Sequence, residues 1–322
     1  MPNSEAQPPA TPLPESFLKR LEAILPQQSL HDCLQSFSCV RPTSFRVNTI
    51  KTSETALVSG LRADGFLLRR IDWRPGTYSV STEQRRALTE SAAFAEGQIY
   101  IQDLSSMLAP MVLDPKPGER VLDLAAAPGG KTLQIAAMME NRGQLSAVES
   151  VKGRFFRLKS NLERGGATIV RTYLKDGRSV GSKVPGRFDR VLLDAPCSSE
   201  ARFNTADPKS WSHWSEKKVK ESARKQKRLL DSAIRSLKPG GTIVYCTCSF
   251  SPEENEQVVD SQLKRYGDDI ALVPIKLPLD NLQPGLPNWG KRAYSEQLSH
   301  AVRVLPNADM RGFFLCRIAR NC

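Results

Sequence analysis

Two cysteines follow apolar segments that the sequence predicts to be buried strands. Cys197 follows residues 190–194 in the run LLDAPCSS, and Cys248 follows residues 242–246 in the run VYCTCSFSPEEN. A lone cysteine in a strand is usually a small buried hydrophobe. Here the polar and turn-forming neighbours place both thiols at strand ends, where catalytic groups leave a parallel sheet. We therefore consider Cys197 and Cys248 to be candidate catalytic thiols.

The segment VLDLAAAPGGKT combines a predicted strand, a turn of small residues and the start of a helix. Small side chains let backbone N–H groups approach a ligand at the carboxyl edge of a doubly wound sheet. The dinucleotide pattern GxGxxG is absent, and a phosphate-loop pattern misses by one residue, because Ala125 replaces its first glycine. Gly130, Lys131 and Thr132 do fit that pattern, and Asp194 would serve as an acid for magnesium. A phosphate-loop nucleotide triphosphatase is therefore an alternative.

Two carboxylates favour instead an adenosyl cofactor without a triphosphate. Glu149 ends the second predicted strand, 26 residues after Asp123, close to the spacing at which an acid accepts hydrogen bonds from ribose hydroxyls. Asp176 follows the third predicted strand and is placed to accept from the adenine amino group. Lys131 would then be a helix-start cation near the carboxylate of the methionine portion. These residues predict a binding site for S-adenosylmethionine.

A thiolate beside a sulfonium methyl donor suits methylation of a pyrimidine at carbon 5. Carbon 5 is too weak a nucleophile to attack the methyl group, but a thiolate added at carbon 6 turns the ring into an enamine. An acidic group near ring nitrogen 3 or the exocyclic amine would stabilise that adduct, and Asp194 lies three residues before Cys197. This chemistry alone does not rank Cys197 against Cys248.

The elements that must position these residues alternate between strands and helices. We predict buried strands over residues 120–124, 145–149, 168–172, 190–194 and 242–246. We predict helices over residues 131–139, 152–164, 216–237 and 252–266. This alternation predicts an α/β fold with a doubly wound, mostly parallel sheet. A last apolar run over residues 312–318 is predicted to add an edge or antiparallel strand.

The preceding part of the chain is less regular. Residues 1–14 contain five prolines and are predicted to be a disordered tail. Residues 15–96 are predicted to form a small N-terminal α/β domain, with helices near residues 16–24 and 53–63 and an extended basic piece over residues 44–51. Residues 97–322 are predicted to form the catalytic domain, in which Asp103 caps an apolar helix.

Composition narrows the classes of function. The chain carries 46 lysines and arginines against 34 aspartates and glutamates, a formal charge of +12, which favours nucleic acid as a partner and an acidic membrane surface second. No apolar run approaches the roughly 18 residues of a membrane span, and we expect neither a signal peptide nor a membrane partner. Seven cysteines are too few and odd in number for a disulfide framework, which favours a reducing cytoplasm. Paired CxxC elements are absent, so no metal site is predicted, and none of the three histidines lies in a motif, which disfavours hydrolysis by a catalytic triad.

The combination of motifs resembles the Nol/Nop/Sun-domain family of RNA cytosine-5 methyltransferases, which includes the bacterial Fmu-type rRNA enzymes. The resemblance runs from about residue 46 to residue 318 and is carried by RVNTIK, AAAPGGK, DAPCSS, TCSFSPEENE and RVLPNADMRGFFLCRI. It implies a class I, Rossmann-like methyltransferase fold that uses S-adenosylmethionine. It also implies methylation of carbon 5 of cytosine in rRNA or tRNA, with no obligate protein partner evident.

The resemblance also implies roles for individual residues. Cys248 corresponds to the nucleophile, and Cys197 to the thiol that helps release the product. Asp194 is then shared between the cofactor edge and the target base. The implied cofactor contacts are Ala125, Ala126, Ala127, Pro128, Gly129, Gly130, Lys131, Glu149, Asp176 and Asp194.

One departure from the family pattern concerns the turn after Cys197. The family turn is rich in glycine, whereas Ser199, Glu200 and Ala201 stand here. If the turn requires positive φ, these residues strain it. A non-catalytic RNA-binding protein on a degenerate methyltransferase fold is therefore a further alternative.

RNA contacts are predicted in two places. Arg46, Asn48 and Lys51 of RVNTIK are expected to be exposed positions of an extended segment that flanks the active site. Residues 217–228 hold seven cations in twelve residues and suit phosphate binding, although a solvated helix face explains them equally well. Trp211 and Trp214 are candidates for base stacking, with packing as the alternative.

Overall fold

The computed structural model describes residues 12–322. Of the predicted tail over residues 1–14, residues 1–11 therefore lie outside the described residues. Leu13 is buried and packs with Phe17 and Leu21 of the first helix.

The N-terminal part combines short helices with a small antiparallel sheet. Its helices are α1 (Glu15–Ile24), α2 (Gln27–Ser36), α3 (Glu54–Ala63), α4 (Arg85–Glu90) and α5 (Ala92–Ala95). The strands, in sheet order, are β2 (Arg69–Arg70), β3 (Thr77–Val80), β1 (Thr43–Val47) and β4 (Ile99–Ile101). Strand β4 pairs with β1 and lies beyond residue 96, where we predicted the domain to end.

A nine-stranded sheet forms the larger part of the molecule. Its parallel strands are β5 (Arg120–Asp123), β6 (Gln144–Glu149), β7 (Val170–Leu174), β8 (Phe188–Asp194) and β9 (Leu237–Thr247), in the order β9-β8-β5-β6-β7. All five predicted strands are present, but β7 lies at the edge of the sheet and is largely exposed, so the prediction that it is buried was wrong. Its antiparallel strands are β10 (Ile270–Val273), β11 (Leu282–Pro284), β14 (Val302–Val304) and β15 (Phe313–Arg320). A separate hairpin is formed by β12 (Asn288–Trp289) and β13 (Arg292–Ala293).

Helices cover both faces of this sheet, as a doubly wound fold requires. The helices are α6 (Leu104–Leu113), α7 (Gly130–Met138), α8 (Lys152–Arg164), α9 (Val180–Lys183), α10 (Glu216–Ser236) and α11 (Glu256–Tyr266). Helices α10 and α11 pack on one face through side chains such as Ala233, Ile234 and Val258. Helices α6 and α7 pack on the other through Leu108 and Ile135.

Two predicted details at the ends of elements can be compared with the structure. Asp103 caps α6 as predicted, since its carboxylate accepts a hydrogen bond from the backbone N–H of Ser105 at 3.1 Å. The last apolar run forms β15, which is antiparallel and lies between β9 and β14. Among residues 12–322, no helix combines the length and apolarity that a bilayer crossing needs.

Candidate active site

The two candidate thiols meet at the carboxyl edge of the large sheet. Strands β8 and β9 are parallel neighbours, with Asp194 opposite Cys246 in the register, so the segments that follow them leave the sheet side by side. The sulfur atoms of Cys197 and Cys248 lie 3.3 Å apart. Both thiols line a cavity of about 560 Å³, which Asp194 also lines.

The pair is electrostatically asymmetric. A hydrogen bond from the Cys197 thiol lowers the pKa of Cys248, and the nearby Arg202 guanidinium lowers it further. The hydroxyl of Ser199, 3.6 Å from the Cys248 sulfur, acts in the same direction. The pKa of Cys197 is raised by the same hydrogen bond and by burial. These opposite shifts favour ionisation of Cys248 over ionisation of Cys197.

A buried carboxylate connects the segments that follow the two cysteines. Glu200 is 1% exposed and lies in the turn after Cys197. Its oxygens accept hydrogen bonds from the Ser249 hydroxyl at 2.9 Å, from the Phe250 N–H at 2.8 Å, and from the Ser251 N–H and hydroxyl at 2.9 and 2.7 Å. The Trp214 indole donates a fifth at 2.8 Å. Sequence reasoning assigned Glu200 only to an altered turn, because its donors come from distant segments.

The turn after Cys197 uses the left-handed conformation at one position. Ser199 has φ of 61°, whereas Ala201 lies in a short 3-10 turn that spans Glu200–Arg202. Of the three turn residues, only Ser199 has the left-handed conformation. This conformation costs a non-glycine residue about 1–2 kcal/mol. The backbone N–H of Ala201 donates to the carbonyl of Cys248 at 3.0 Å, which holds the turn against the second thiol loop.

A second buried acid, Glu254, lies behind the thiol loops. Its carboxylate accepts hydrogen bonds from the Ser198 N–H at 2.9 Å, from the Ser198 hydroxyl and from the Gln226 amide at 3.1 Å. Burial, with a smaller contribution from Glu200, raises its pKa to about 7. Gln226 also donates to the carbonyl of Pro196 at 3.0 Å, so helix α10 is attached to the residue before Cys197.

Lys131 is turned toward Asp194. Its ammonium donates to Asp194 Oδ2 and to the Ser106 hydroxyl, both at 2.7 Å, and lies 5.5 Å from the centre of the Phe313 ring. We expected this lysine to meet the carboxylate of a cofactor. Its ammonium is instead paired with the acid at the end of β8. The same pairing weakens the phosphate-loop alternative, in which the lysine must reach a phosphate.

The turn between β5 and α7 requires small residues. Gly129 has φ of 106°, which favours glycine, and a Cβ on Gly130 would lie 2.7 Å from the Tyr100 ring. Beside this turn, Asp123 Oδ2 accepts from the Thr132 hydroxyl at 2.7 Å, whereas Oδ1 is buried without a partner among residues 12–322. Burial raises the pKa of Asp123 to about 7. The turn thus lies beside a buried acid, one oxygen of which has no hydrogen-bond donor among the described residues.

A second cavity, of about 300 Å³, adjoins this turn and is lined by Ala125, Glu149 and Asp176. Glu149 is 3% exposed and accepts from the Val151 N–H at 2.8 Å. Asp176 is partly exposed, and its carboxylate already accepts from the Arg178 side chain at 2.9 and 3.0 Å. The remaining predicted cofactor residues shape the turn: Ala126 and Ala127 are buried with Leu158, and Pro128 follows a cis peptide bond.

Two of the three residues that we predicted to be exposed RNA contacts, Arg46 and Asn48, are buried, so that prediction of exposure is wrong. Arg46 is 1% exposed and donates to the Gly130 carbonyl at 3.0 Å, and Asn48 is fully buried and donates to the carbonyls of Gly97 and Gly165 at 2.7 and 2.8 Å. The physical reason is the position of β1 inside its sheet, between β3 and β4. Lys51 follows that strand and is exposed.

The tryptophans and two arginines complete the surroundings. Trp211 and Trp214 are half-buried and pack near Phe203, which favours their packing alternative. Arg202 and Arg311 line the cavity that holds the thiols, although sequence reasoning assigned neither of them a role. Arg311 pairs with Asp103 at 2.6 Å.

Comparisons with known proteins agree with this architecture. A family model described as the N-terminal domain of 16S rRNA methyltransferase RsmF matches residues 13–104. A crystal structure of a methyltransferase homologue from Pyrococcus horikoshii has a TM-score of 0.78 and 34% identity, covering 96% of this chain and 100% of that one.

Relatives of similar sequence include enzymes named for rRNA and for tRNA. Ribosomal RNA small subunit methyltransferase F of Vibrio campbellii is 36% identical over 96% of this chain and 63% of that protein. The tRNA (cytosine(49)-C(5))-methyltransferase of Pyrococcus abyssi is 40% identical over 87% of this chain and 88% of that protein. The chain spans 63% to 65% of the length of the methyltransferase F relatives that it matches. A second family model covers residues 110–319, and the chain therefore belongs to the 16S rRNA methyltransferase RsmB/F family.

Proposed function

We propose that this protein transfers a methyl group from S-adenosylmethionine to carbon 5 of cytosine in RNA. The observation that carries the proposal is the 3.3 Å approach of Cys197 and Cys248 in a cavity that Asp194 also lines. A thiolate next to a second, protonated thiol is what addition to a pyrimidine and later release require. The names of the rRNA and tRNA relatives support the same reaction.

The residues beside the thiols fit the cofactor. The smaller cavity offers Glu149 as a buried acceptor for ribose hydroxyls, and the turn between β5 and α7 offers an unpartnered oxygen of Asp123. A carboxyl whose pKa burial raises is satisfied by a protonated amino group, such as the one on the methionine portion. When bound, S-adenosylmethionine supplies the electrophilic methyl group.

Cys248 begins the reaction. Its thiolate adds to carbon 6 of the cytosine, forming an S–C bond and moving the electron pair of the 5,6 double bond onto carbon 5, which then becomes nucleophilic toward the methyl group. The low pKa of Cys248 keeps the attacking sulfur deprotonated. Asp194, at the cavity wall, is placed to hold the base edge.

Cys197 completes the reaction. After methylation, carbon 5 still carries its hydrogen, and this proton must leave before the S–C bond to Cys248 breaks. In our proposal the Cys197 thiol first gives its proton to solvent, and its thiolate then accepts the proton from carbon 5. The electron pair of that C–H bond re-forms the 5,6 double bond as the S–C bond breaks, and Cys248 leaves carbon 6 as a thiolate. The position of Cys197 next to the bonded sulfur supports this role, and Cys197 and Cys248 therefore act on opposite halves of one cycle.

The alternatives make different predictions. A phosphate-loop triphosphatase would bind ATP with magnesium and give Cys248 no role, and the pairing of Lys131 with Asp194 disfavours it. A non-catalytic RNA-binding protein would bind RNA without a covalent step, and the low pKa of Cys248 disfavours that alternative. We place the methylation reaction in the cytoplasm, where thiols remain reduced, and assign it no obligate protein partner.

Incubation with labelled S-adenosylmethionine and total RNA tests the proposal. We expect wild type to form 5-methylcytosine, Cys248→Ala to form none, and Cys197→Ala to accumulate a covalent protein–RNA adduct. Cys39→Ala is the matched control, since that thiol is exposed and does not line the cavity, so its loss should leave activity intact. Full activity in Cys248→Ala contradicts the assigned nucleophile, and RNA binding without methyl transfer by wild type supports the non-catalytic alternative.

A further inference from the structure

Helix α10 extends past the edge of the sheet at which the thiols lie. The helix connects β8 to β9, so it runs from the carboxyl edge toward the amino edge. Gln226 donates to the carbonyl of Pro196, which lies two residues beyond β8. Gln226 is therefore the helix residue that lies level with the carboxyl edge of the sheet. At 1.5 Å per residue, the ten residues before Gln226 extend about 15 Å further. The first half of α10 thus projects on the side where a target base must enter.

The projecting half and the residues just after Gln226 carry a row of cations on the outer surface of the helix. Lys217, Lys220, Arg224 and Arg228 are exposed and are spaced three or four residues apart, so they lie on one face of the helix. The opposite face is buried and holds Gln226 among its residues. The row, which we name the α10 stripe, is about 16 Å long.

The α10 stripe is not neutralised by acidic side chains. Within residues 12–322, the ion pairs on this helix join Lys218 to Glu221, Arg235 to Asp231 and Arg265 to Asp231, and none includes a member of the stripe. Four unpaired cations along one line form a positive surface that complements a chain of phosphates.

We propose that the α10 stripe binds the phosphate backbone of the RNA whose cytosine enters the thiol cavity. The proposal rests on the proposed function for the identity of the RNA as substrate. The attachment of Gln226 to Pro196 sets the stripe at a fixed position relative to Cys197, so phosphates held there determine which nucleotide reaches the cavity. Phosphate contacts fix register without reading bases, and sequence selection is left to the cavity.

The test compares two triple variants with the same change in charge. K217Q/K220Q/R224Q removes three members of the stripe, and K116Q/K183Q/R187Q removes three exposed cations near the starts of β5 and β8, at the opposite edge of the sheet. Binding of purified small-subunit ribosomal RNA is measured over a range of salt concentrations, and S-adenosylmethionine binding and thermal unfolding are measured as checks on folding.

We expect the stripe variant to bind RNA about tenfold more weakly near 150 mM salt and to lose about two units of the slope of log Kd against log salt. The matched variant should retain most of the wild-type slope, and both variants should bind S-adenosylmethionine as wild type does. Equal affinity and slope for the stripe variant and wild type overturn the proposal.

A second measurement does not depend on substitutions. Acylation of lysines by a small amine-reactive reagent, followed by mass spectrometry, should show that RNA protects Lys217 and Lys220 but not Lys183. Equal labelling of all three with and without RNA also overturns the proposal. Failure of wild type to methylate RNA leaves both readouts measurable, so failure of the proposed function and failure of the stripe are distinguishable.

Discussion

Glu200 lies three residues after Cys197, and its carboxylate binds both the N–H and the hydroxyl of Ser251, which lies three residues after Cys248. The carboxylate three residues after one thiol is therefore held by a serine three residues after the other thiol. Because hydrogen bonds to a buried charge are strong, this contact fixes the two loops relative to each other and with them the two sulfur atoms.

Glu200→Gln should destabilise the protein although the side chain keeps its shape. An amide presents one oxygen and one NH₂ group. The two serine hydroxyls can turn to accept from the NH₂ group, but the N–H groups of Phe250, Ser251 and Trp214 can only donate, so at least one buried N–H loses its acceptor. We expect the free energy of unfolding to fall by about 3 kcal/mol in urea titrations. Glu22→Gln, an exposed carboxylate on α1, is the control and should change it by less than about 0.5 kcal/mol. A similarly small change for Glu200→Gln would refute the role of this contact.

Alkylation of Cys248 should depend on pH with a midpoint well below that of an ordinary thiol. The hydrogen bond from Cys197 is the main reason that the pKa of Cys248 falls to about 6. The thiolate is the reactive form, so the rate of reaction with iodoacetamide should rise through about pH 6 and then level off. The rate at this site is followed by mass spectrometry of the peptide that contains Cys248.

Cys197→Ala provides the decisive comparison for that measurement. Without the donating thiol, the midpoint for Cys248 should move up toward the ordinary range near pH 8–9. Cys39, which is exposed, serves as the internal reference in the same sample. An unchanged midpoint in Cys197→Ala would show that the two thiols do not share the hydrogen bond.

Ser199→Gly should stabilise the fold and at the same time weaken the activation of Cys248. Glycine adopts positive φ without strain, so the free energy of unfolding should rise by about 1 kcal/mol. The lost hydroxyl raises the pKa of Cys248, moving the alkylation midpoint upward. Ser199→Ala separates the two effects, because it removes the hydroxyl and keeps the strained backbone. Equal stability of the Gly and Ala variants would mean that φ of 61° carries no strain.

Glu149 and Asp176 should contribute unequally to binding of S-adenosylmethionine. Glu149 is buried beside the smaller cavity, whereas Asp176 is partly exposed and already paired with Arg178. Glu149→Gln should weaken binding roughly ten- to hundredfold in calorimetry, and Asp176→Asn by less than about fivefold. A larger loss in Asp176→Asn would mean that Arg178 releases this carboxylate when the cofactor binds.

Much of the sheet could be predicted because each buried parallel strand is a short apolar run that ends in a polar residue. Helix α8 has the bounds that its pattern predicts, 152–164, since its apolar residues recur at helical spacing. Helix α2 was not predicted, because its buried surface, which includes Cys33, arises only from packing against α1 and the loops of the catalytic domain.

The positions of the two thiols could be predicted because the carboxyl ends of parallel strands lie at the same edge of a sheet. Cys197 and Cys248 meet because β8 and β9 are adjacent, which the motif order suggested. Buried polar partners were not predictable, since Glu200 appears from sequence to be an ordinary turn residue and the pairing of Lys131 with Asp194 was not foreseen. Their burial depends on donors and acceptors from segments that are distant in the chain. The burial of Arg46 and Asn48 was missed for the same reason. Only the pairing of β1 with a strand on each of its edges shows that this segment lies inside the protein.

The hydrogen bond from Arg46 to the Gly130 carbonyl limits how this protein can be recombined with its relatives. Strand β1 supplies a donor to the first residue of α7, and Tyr100 of β4 fills the space that a side chain on Gly130 would need. A chimera that exchanges the first hundred residues must therefore bring a matching arginine and tyrosine, or it distorts the glycine turn. We therefore expect the two matched family segments to work as a pair rather than as interchangeable modules.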